Sequence, residues 1–195
     1  SLQRLFSDEN AVSIVYRNWR TGYGYFWISA VGQAIEEPDG AKTAYVLYSD
    51  ATEQKRRETE FDKRVRELSV LNPNTIGVFQ LDLTRNAIIR IESRAAAALG
   101  IDPRGTADAF IEKCREIMAG DLGGPEDWAQ IRREALISAF QAGKAEIALN
   151  FRYIARETDE LRWATSYIYL AQNPRTGSVE ALACTLDATE EAISR

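Results

Sequence analysis

Few side chains in this sequence have the type and spacing that catalysis requires. The chain of 195 residues contains no histidine, so it lacks the commonest haem ligand, a common zinc ligand and the usual acid–base group at neutral pH. The adjacent acidic residues Glu126–Asp127 and Glu190–Glu191 would point to different sides of a helix and cannot face one substrate together. No nucleophile stands in a recognisable pattern with a base, and no phosphate-binding loop is present. The sequence therefore predicts no catalytic centre.

The two cysteines also favour a structural interpretation. Cys114 lies in a helical stretch and Cys184 lies in an apolar strand-like stretch, so they do not form the spaced framework of a disulfide-stabilised protein. We interpret both as buried thiols in a reducing cytoplasm.

The charge pattern narrows the class of partner. The net charge is −5, and acidic and basic residues are interleaved, so no basic surface for nucleic acid is expected. No apolar run is long enough to span a bilayer, and the first residues do not have the layout of a signal peptide. We expect a cytoplasmic location, with no membrane insertion in this segment.

A repeat organises the rest of the sequence. The tetrapeptide DATE occurs at Asp50–Glu53 and again at Asp187–Glu190, and each copy closes a longer similar segment. The other matched positions keep the same order, and they are Tyr16–Arg17 with Phe151–Arg152, Trp27 with Trp163, and Gly40 with Gly177. A repeated order of this kind indicates a repeated structural unit.

Each copy has the pattern of three antiparallel strands. In the first, Val12, Ile14 and Tyr16 alternate with polar residues, which is typical of a strand with one buried side. A second alternating stretch surrounds the tryptophan, and a turn marked by EPDG or NPRTG leads into a third strand that ends at DATE.

The second copy has further elements before it. A predicted hairpin lies in TIGVFQLDL and NAIIRIES. Predicted helices follow in RAAAALG, ADAFIEKCREIMAG and PEDWAQIRREALISAFQAG. The order is therefore two strands, several helices and three strands, whereas the first copy has the three strands alone.

Good helix formers connect the two copies, from Glu53 to Leu68. Opposite charges recur four positions apart along this stretch, as at Asp62 and Arg66 or Lys63 and Glu67, which favours a helix. Its coiled-coil spacing lasts barely two turns, which is too short to establish a dimer.

The second copy with its preceding elements resembles the PAS domain. The C-terminal half of that family carries a YR, W, G and D-I-T-E pattern, which the matched positions above follow twice. The turn NPRTGSVEA is similar to PAS repeats in bacterial sensor proteins that carry GGDEF cyclase or EAL phosphodiesterase domains.

The resemblance implies an α+β fold with a PAS-like antiparallel five-stranded sheet and helices on one side, preceded by a three-stranded half-PAS and a connecting helix. Residues 1–54 would be the C-terminal half of a first PAS domain, residues 55–71 the connecting helix, and residues 72–195 a second, essentially complete PAS domain. Because three strands have too few neighbours to cover their apolar side, we expect the connecting helix, the second domain or another chain to cover it.

The function that the resemblance implies is that of a regulatory sensor in a larger bacterial protein. The chain itself would not be an enzyme; it would control a downstream diguanylate cyclase or cyclic-di-GMP phosphodiesterase domain in the same polypeptide, or alternatively a histidine kinase. A homodimer is expected. A different interpretation is a dimerisation or spacer module that binds no ligand.

The DATE segments are the candidate site. By resemblance, they couple the sheet to the following helix, through Asp50, Thr52 and Glu53 in the first copy and Asp187, Thr189 and Glu190 in the second. The alternative from the residues alone is that threonine with glutamate only caps that helix.

The other PAS-pattern positions are aromatic and basic. Trp27 and Trp163 are expected to pack against neighbours rather than bind a ligand. Arg17 and Arg152 should point outward and pair with a carboxylate on a neighbouring strand, and an acidic ligand of Arg152 is the alternative.

No cofactor is predicted, and a small ligand of unknown identity is left open. The missing histidine disfavours haem. Covalent flavin is disfavoured because EKCREIM around Cys114 differs from the NCRFLQ expected of flavin-binding PAS relatives.

Overall fold

The computed structural model describes residues 12–68, 73–93, 100–117, 129–155 and 158–190. The chain divides into two units, with the boundary between Glu60 and Phe61. This boundary falls inside the connecting helix α1, Thr52–Leu68. The predicted domain limits at residues 54 and 72 stay predictions.

The first unit is built on a three-stranded antiparallel sheet in the order β1-β2-β3. Its strands are β1 (Val12–Arg20), β2 (Gly24–Glu36) and β3 (Lys42–Asp50). The hairpin between β1 and β2 is tight because Gly22 and Gly24 adopt φ angles of 82° and 79°, a region that costs glycine little.

The second unit contains a five-stranded antiparallel sheet in the order β5-β4-β8-β7-β6. The strands are β4 (Thr75–Asp82), β5 (Ala87–Ser93), β6 (Glu146–Ala155), β7 (Glu160–Gln172) and β8 (Val179–Asp187). Two described helices, α2 (Ala107–Ile117) and α3 (Arg133–Gln141), lie between β5 and β6 in the chain. The predicted α+β architecture, with a five-stranded sheet preceded by three strands and a helix, is confirmed.

The strands formed by the two copies of the repeat pair in the same register in both sheets. Equivalent residues face each other across neighbouring strands: Arg17 opposite Trp27 and Ile28 opposite Asp50 in the first unit, and Arg152 opposite Trp163 and Ala164 opposite Asp187 in the second. Because a slip of one residue would reverse the faces, the repeat in sequence is also a repeat in side-chain placement.

The core of the second unit lies between its sheet and its helices. Phe110 of α2 contacts Phe79 of β4 with ring centroids 4.9 Å apart. The buried apolar cluster comprises Leu81, Leu83, Ala107, Phe110, Ile131, Leu136, Ile147, Ile168, Leu170 and Ala181. This packing fixes one face of the sheet against the helices and leaves the other face for the connecting helix and solvent.

One predicted helix is interrupted. The sequence predicted a continuous helix from residue 125 to residue 143, but the described residues 129–130 and α3 are separated by a turn at 131–132, where Arg132 is extended with φ −61° and ψ 147°. The break lets the Arg133 guanidinium reach Asp108 at 3.0 Å and the Leu83 carbonyl oxygen at 3.2 Å. The predicted helix in RAAAALG and the pair Glu126–Asp127 lie outside the described residues.

Candidate functional site

The first DATE segment joins β3 to helix α1 through three hydrogen bonds. The Asp50 Oδ1 atom accepts a bond from the Thr52 amide at 2.8 Å. The Trp27 amide, near the start of β2, donates to Thr52 Oγ1 at 3.0 Å, and the Ala51 amide donates to the Trp27 carbonyl oxygen at 2.9 Å. The helix start is thus bonded to both backbone groups of one residue in the central strand.

The second DATE segment repeats this geometry with the same atoms. The Thr189 amide donates to Asp187 Oδ1 at 2.9 Å. The Trp163 amide donates to Thr189 Oγ1 at 3.0 Å, and the Ala188 amide donates to the Trp163 carbonyl oxygen at 2.9 Å. We call each arrangement of aspartate, threonine and tryptophan a strand–helix joint.

The capping roles within the joint differ from those expected. The sequence assigned the cap to threonine with glutamate, whereas the structure assigns it to aspartate. Because Thr52 is the first helical residue, its amide is one of the free donors of the helix start, and the Asp50 carboxylate two positions earlier accepts from it. Glu53 instead pairs with Arg56 at 2.8 Å.

The tryptophans serve the joint with their backbone rather than their rings. The Trp163 ring lies on the sheet face opposite the core and is 39% exposed, and Trp27 holds the equivalent register position in the first sheet. The Lys55 ammonium lies 5.8 Å from the Trp27 ring centroid, and the Arg152 guanidinium lies 5.5 Å from that of Trp163. Sequence reasoning identified these positions but not the backbone bonds, which depend on strand pairing.

The two arginines point to the outward face, as expected, but their partners differ from the prediction. Arg17 lies over the Tyr25 ring at 4.4 Å and Arg152 lies over Trp163. Neither forms an ion pair with a carboxylate of the described residues. The reason is local: each arginine has an aromatic ring directly or diagonally opposite on the neighbouring strand, and a cation over such a ring is stabilised.

The second joint carries two further contacts. Asp187 Oδ2 accepts a hydrogen bond from the Tyr153 hydroxyl at 3.2 Å and forms an ion pair with the Arg162 guanidinium, also at 3.2 Å. The register places Asn18 and Phe26 at the equivalent positions of the first unit, where there is neither a phenol hydroxyl nor a guanidinium. Sequence reasoning assigned neither Tyr153 nor Arg162 to the joint, because their position opposite each other on β6 and β7 depends on the strand register.

These contacts control the ionisation of Asp187. Burial by itself raises the pKa of its carboxyl group, but the hydrogen bonds from Thr189, Arg162 and Tyr153 together outweigh burial and hold that pKa below its usual value of 3.8. Conversely, burial and the neighbouring Asp187 charge raise the pKa of Tyr153 to about 12. At neutral pH the joint therefore holds an ionised aspartate and a neutral tyrosine.

The second joint should contribute less to the stability of the second unit at acidic pH. Because the folded-state pKa of Asp187 is depressed, its contribution is complete above the unfolded-state value and is lost as the pH falls below about 4. In Asp187→Asn, we expect the free energy of unfolding of the second unit to decline less steeply between about pH 5 and pH 3. Urea midpoints measured across that range test this, and parallel pH profiles for the two proteins would contradict it.

Other chemistry is sparse in the part of the chain that the structure describes. Burial raises the pKa of the Cys114 thiol to about 12, so this cysteine is not a ready nucleophile. A surface depression of about 270 Å³ is lined by alanine and isoleucine side chains and by Gln130 and Lys144. Among the described residues no cluster of side chains could hold a metal ion, and no helix is long and apolar enough to cross a membrane.

No family model and no curated protein matches this chain. Solved structures are similar to it at low identity. An RNA-binding light-oxygen-voltage receptor is 13% identical with a TM-score of 0.39, over 98% of this chain and 82% of that chain. The N-terminal domain of a diguanylate cyclase with PAS/PAC sensor from Marinobacter aquaeolei is 12% identical with a TM-score of 0.40, over 60% of this chain and 97% of that chain. The PAS domain of the fruit-fly ELK potassium channel is 14% identical with a TM-score of 0.38, over 69% of this chain and 96% of that chain.

Proposed function

We propose, from the premise that residues 75 to 187 have the PAS fold, that this chain is a sensor and signal-transduction module of a larger bacterial protein. The premise rests on the order of the five strands in the sheet, β5-β4-β8-β7-β6, and on helices α2 and α3, which lie between β5 and β6 in the chain. The observation that carries the proposal is the strand–helix joint, which occurs twice with the same atoms. Capping alone requires a side-chain acceptor, but it does not require two bonds to a neighbouring strand.

The joint supports coupling because it links the segment after the last strand to an interior strand of the sheet. Trp163 belongs to β7, which pairs with β6 on one side and β8 on the other. A shift of β7 relative to β8 must stretch the bonds between Trp163 and residues 188 and 189, or carry the helix start with it. A ligand or partner that favours one strand position would then favour one helix position.

The second joint is the stronger candidate for the output connection. Asp187 accepts bonds from the Thr189 amide, two residues further along the chain, and from Tyr153 and Arg162 in β6 and β7. The Asp187 carboxylate therefore connects β6, β7 and the residues after β8. Removal of any one partner leaves the negative charge of Asp187 with fewer hydrogen bonds to stabilise it. In the part of the chain that the structure describes, the Asp50 carboxylate accepts a hydrogen bond from Thr52 alone.

The output domain belongs to the same proposal. We infer control of a diguanylate cyclase or cyclic-di-GMP phosphodiesterase in the same polypeptide, with a histidine kinase as the alternative, and a homodimer as the working form. No cofactor is assigned, and the chain itself is not assigned a catalytic activity.

A fusion reporter tests the coupling. The whole chain is joined after Arg195 to a diguanylate cyclase catalytic domain, and Thr189→Val removes the hydroxyl that accepts from the Trp163 amide while keeping the side-chain shape. We expect cyclase activity to change by at least about fivefold, the range of measured couplings between sites. Hydrogen exchange at the Trp163 amide should accelerate in the same variant.

The matched control is Thr158→Val, the same substitution in an exposed turn of the same unit. It should leave both readouts unchanged. If Thr189→Val accelerates exchange at Trp163 but leaves cyclase activity at the wild-type level, the joint is a cap and the coupling proposal is wrong.

A spacer module without a ligand is the second candidate, and the interior favours it. Leu83 and Leu170 have 0% and 1% of their surface exposed, and both belong to the apolar cluster between the sheet and the helices. A sensor needs a cavity with a few convergent polar groups. Native mass spectrometry of the expressed protein discriminates, because a retained small molecule supports the sensor and a bare mass supports the spacer.

A further inference from the structure

Strand β3 has a free edge. Its counterpart in the second unit, β8, lies between β4 and β7, whereas β3 pairs with β2 alone among the described strands. Strand β1 also lies at an edge of the first sheet, but so does its counterpart β6 in the second. Among the described strands, the edge of β3 is therefore where the first sheet lacks a neighbour that the second sheet has.

The sequence of β3 is unusual for an edge strand. Edge strands commonly carry charged residues or proline, which prevent pairing with another chain. Strand β3 reads KTAYVLYSD, and its charged residues are its first and its last, Lys42 and Asp50. Between them Tyr45, Leu47 and Tyr48 are 57%, 72% and 62% exposed. The composition of β3 is that of a strand with a neighbour on each side.

The backbone groups of β3 alternate between its two sides, as in any antiparallel strand. The Ala51 amide donates to the Trp27 carbonyl oxygen at 2.9 Å, and near the other end the Glu37 amide donates to the Ala41 carbonyl oxygen at 2.7 Å. Both bonds follow the register of β2 with β3. The odd-numbered residues of β3 therefore bond to β2, and the even-numbered residues direct their N–H and C=O groups to the free edge.

The second unit shows what such groups bind when a neighbouring strand is present. Asp187, the counterpart of Asp50, donates its amide to the Asn74 carbonyl oxygen at 2.8 Å, on the side of β4. Strand β4 then pairs with β8 in antiparallel register. The equivalent groups of the first unit face no strand among the described residues, and they belong to Ala44, Val46 and Tyr48.

We propose that the free edge of β3 pairs with the same edge of a second copy of this chain, antiparallel about a two-fold axis at Val46. Val46 then lies opposite Val46 of the other copy, Ala44 lies opposite Tyr48, and Lys42 lies opposite Asp50. All of these residues direct backbone groups to the edge, so main-chain bonds form along the strand and join two sheets into one of six strands. This inference deepens the homodimer of the proposed function and rests on it.

The two charges of β3 select the antiparallel orientation. Lys42 and Asp50 lie at opposite ends but on the same face, because an even number of positions separates them. Antiparallel pairing brings each lysine opposite an aspartate, whereas parallel pairing in register would bring like charges together. Lys42 lies opposite Glu36 of its own chain without forming an ion pair with it. Asp50 uses Oδ1 for the Thr52 amide, which leaves Oδ2 for the lysine.

The interface is narrow, so the association should be weak. Nine residues at roughly 3.4 Å each give a paired length of about 30 Å. One added strand covers less than the roughly 800 Å² that stable complexes commonly bury on each partner. We expect a dissociation constant in the micromolar range, with dimers at tens of micromolar protein.

Proline at the centre of the edge tests the pairing. Val46→Pro removes an N–H group that faces the free edge, and it leaves the bonds to β2 in place because Tyr45 and Leu47 make them. A two-fold dimer loses this donor from both copies. In sedimentation equilibrium, the dissociation constant should therefore rise at least about tenfold relative to the wild-type chain.

Val15→Pro is the matched control on the other edge of the same sheet. Val15 lies opposite Ser29, which bonds to β3 rather than to β1, so the Val15 N–H group also points away from β2. The two valines are similarly exposed, at 42% for Val15 and 38% for Val46. Val15→Pro should leave the dimer intact. Far-UV circular dichroism shows whether each proline variant keeps its strands.

Cysteine cross-linking tests the register without a proline. Directly opposite residues with bonded backbones have Cα atoms about 5.5 Å apart, which is within reach of a disulfide. In a chain with Cys114 and Cys184 replaced by alanine, Val46→Cys should cross-link two copies in oxidised glutathione. Ala44→Cys alone should not cross-link, but it should do so in an equimolar mixture with Tyr48→Cys.

The outcomes separate this inference from the proposed function. If the wild-type chain dimerises while Val46→Pro dimerises equally well and Val46→Cys does not cross-link, the β3 edge is not the interface, although the homodimer stands. If Val46→Cys cross-links but the mixture does not, the antiparallel register is overturned. If Val46→Pro loses its strands, the cross-links alone decide. If the wild-type chain is monomeric even at hundreds of micromolar protein, both the edge pairing and the homodimer are wrong, and the joint is judged separately by the fusion reporter.

Discussion

Replacing Leu170 with alanine should lower the free energy of unfolding of the second unit by about 2–5 kcal/mol. Leu170 lies on β7 and has 1% of its surface exposed, within the apolar cluster between sheet and helices. The substitution removes buried carbon atoms and leaves a cavity that the surrounding sheet can only partly close. Both effects reduce stability.

Leu161 provides the matched control on the same strand. Leu161→Ala makes the same chemical change at a residue that is 54% exposed, so it should cost less than about 1 kcal/mol. Because two units can unfold separately, hydrogen exchange of the β7 and β8 amides is a better measure than one denaturation curve. Equal losses in the two variants would show that Leu170 is not in a packed core.

Replacing Glu180 with alanine should cost the second unit about 2–4 kcal/mol. Glu180 is 1% exposed on β8, and its carboxylate accepts bonds from the Gln80 amide at 2.8 Å and the Asn173 amide at 2.7 Å. Without the carboxylate, two donors lose their acceptor, and Gln80 is itself buried. An unsatisfied buried donor bears its full desolvation cost.

Glu180→Gln separates the hydrogen bonds from the volume. Its amide keeps one acceptor oxygen, so one of the two donors stays satisfied, and we expect a loss of about 1–2 kcal/mol. Urea unfolding monitored by exchange of the β4 and β8 amides gives the comparison. If alanine and glutamine cost the same, the network between Gln80 and Asn173 does not depend on the carboxylate oxygens.

The strands of both units could be predicted because their signal is local. Alternating residues such as Val12, Ile14 and Tyr16 report a strand directly, and the repeated DATE segment reports where a sheet ends. The break before Arg133 could not be predicted, since it depends on contacts with Asp108 and Leu83, which are distant in the chain.

Charge pairing in helix α1 illustrates the same limit. Local spacing predicted pairs four residues apart, and Lys63 with Glu67 forms one at 3.7 Å. Asp62, however, binds the Arg175 guanidinium at 2.8 and 2.5 Å, in the turn between β7 and β8. Local spacing reports what a side chain can reach in its own helix, but the tertiary fold brings stronger partners.

For the candidate site, sequence alone singled out aspartate, threonine and tryptophan, because they recur in order in both copies. It could not determine what they do. The bonds from Trp163 to the helix start depend on strand register, and the contacts of Tyr153 and Arg162 with Asp187 depend on three strands meeting at one face. Repetition is a property of the chain and is visible in one dimension, whereas hydrogen bonds between strands exist only after the sheet has formed.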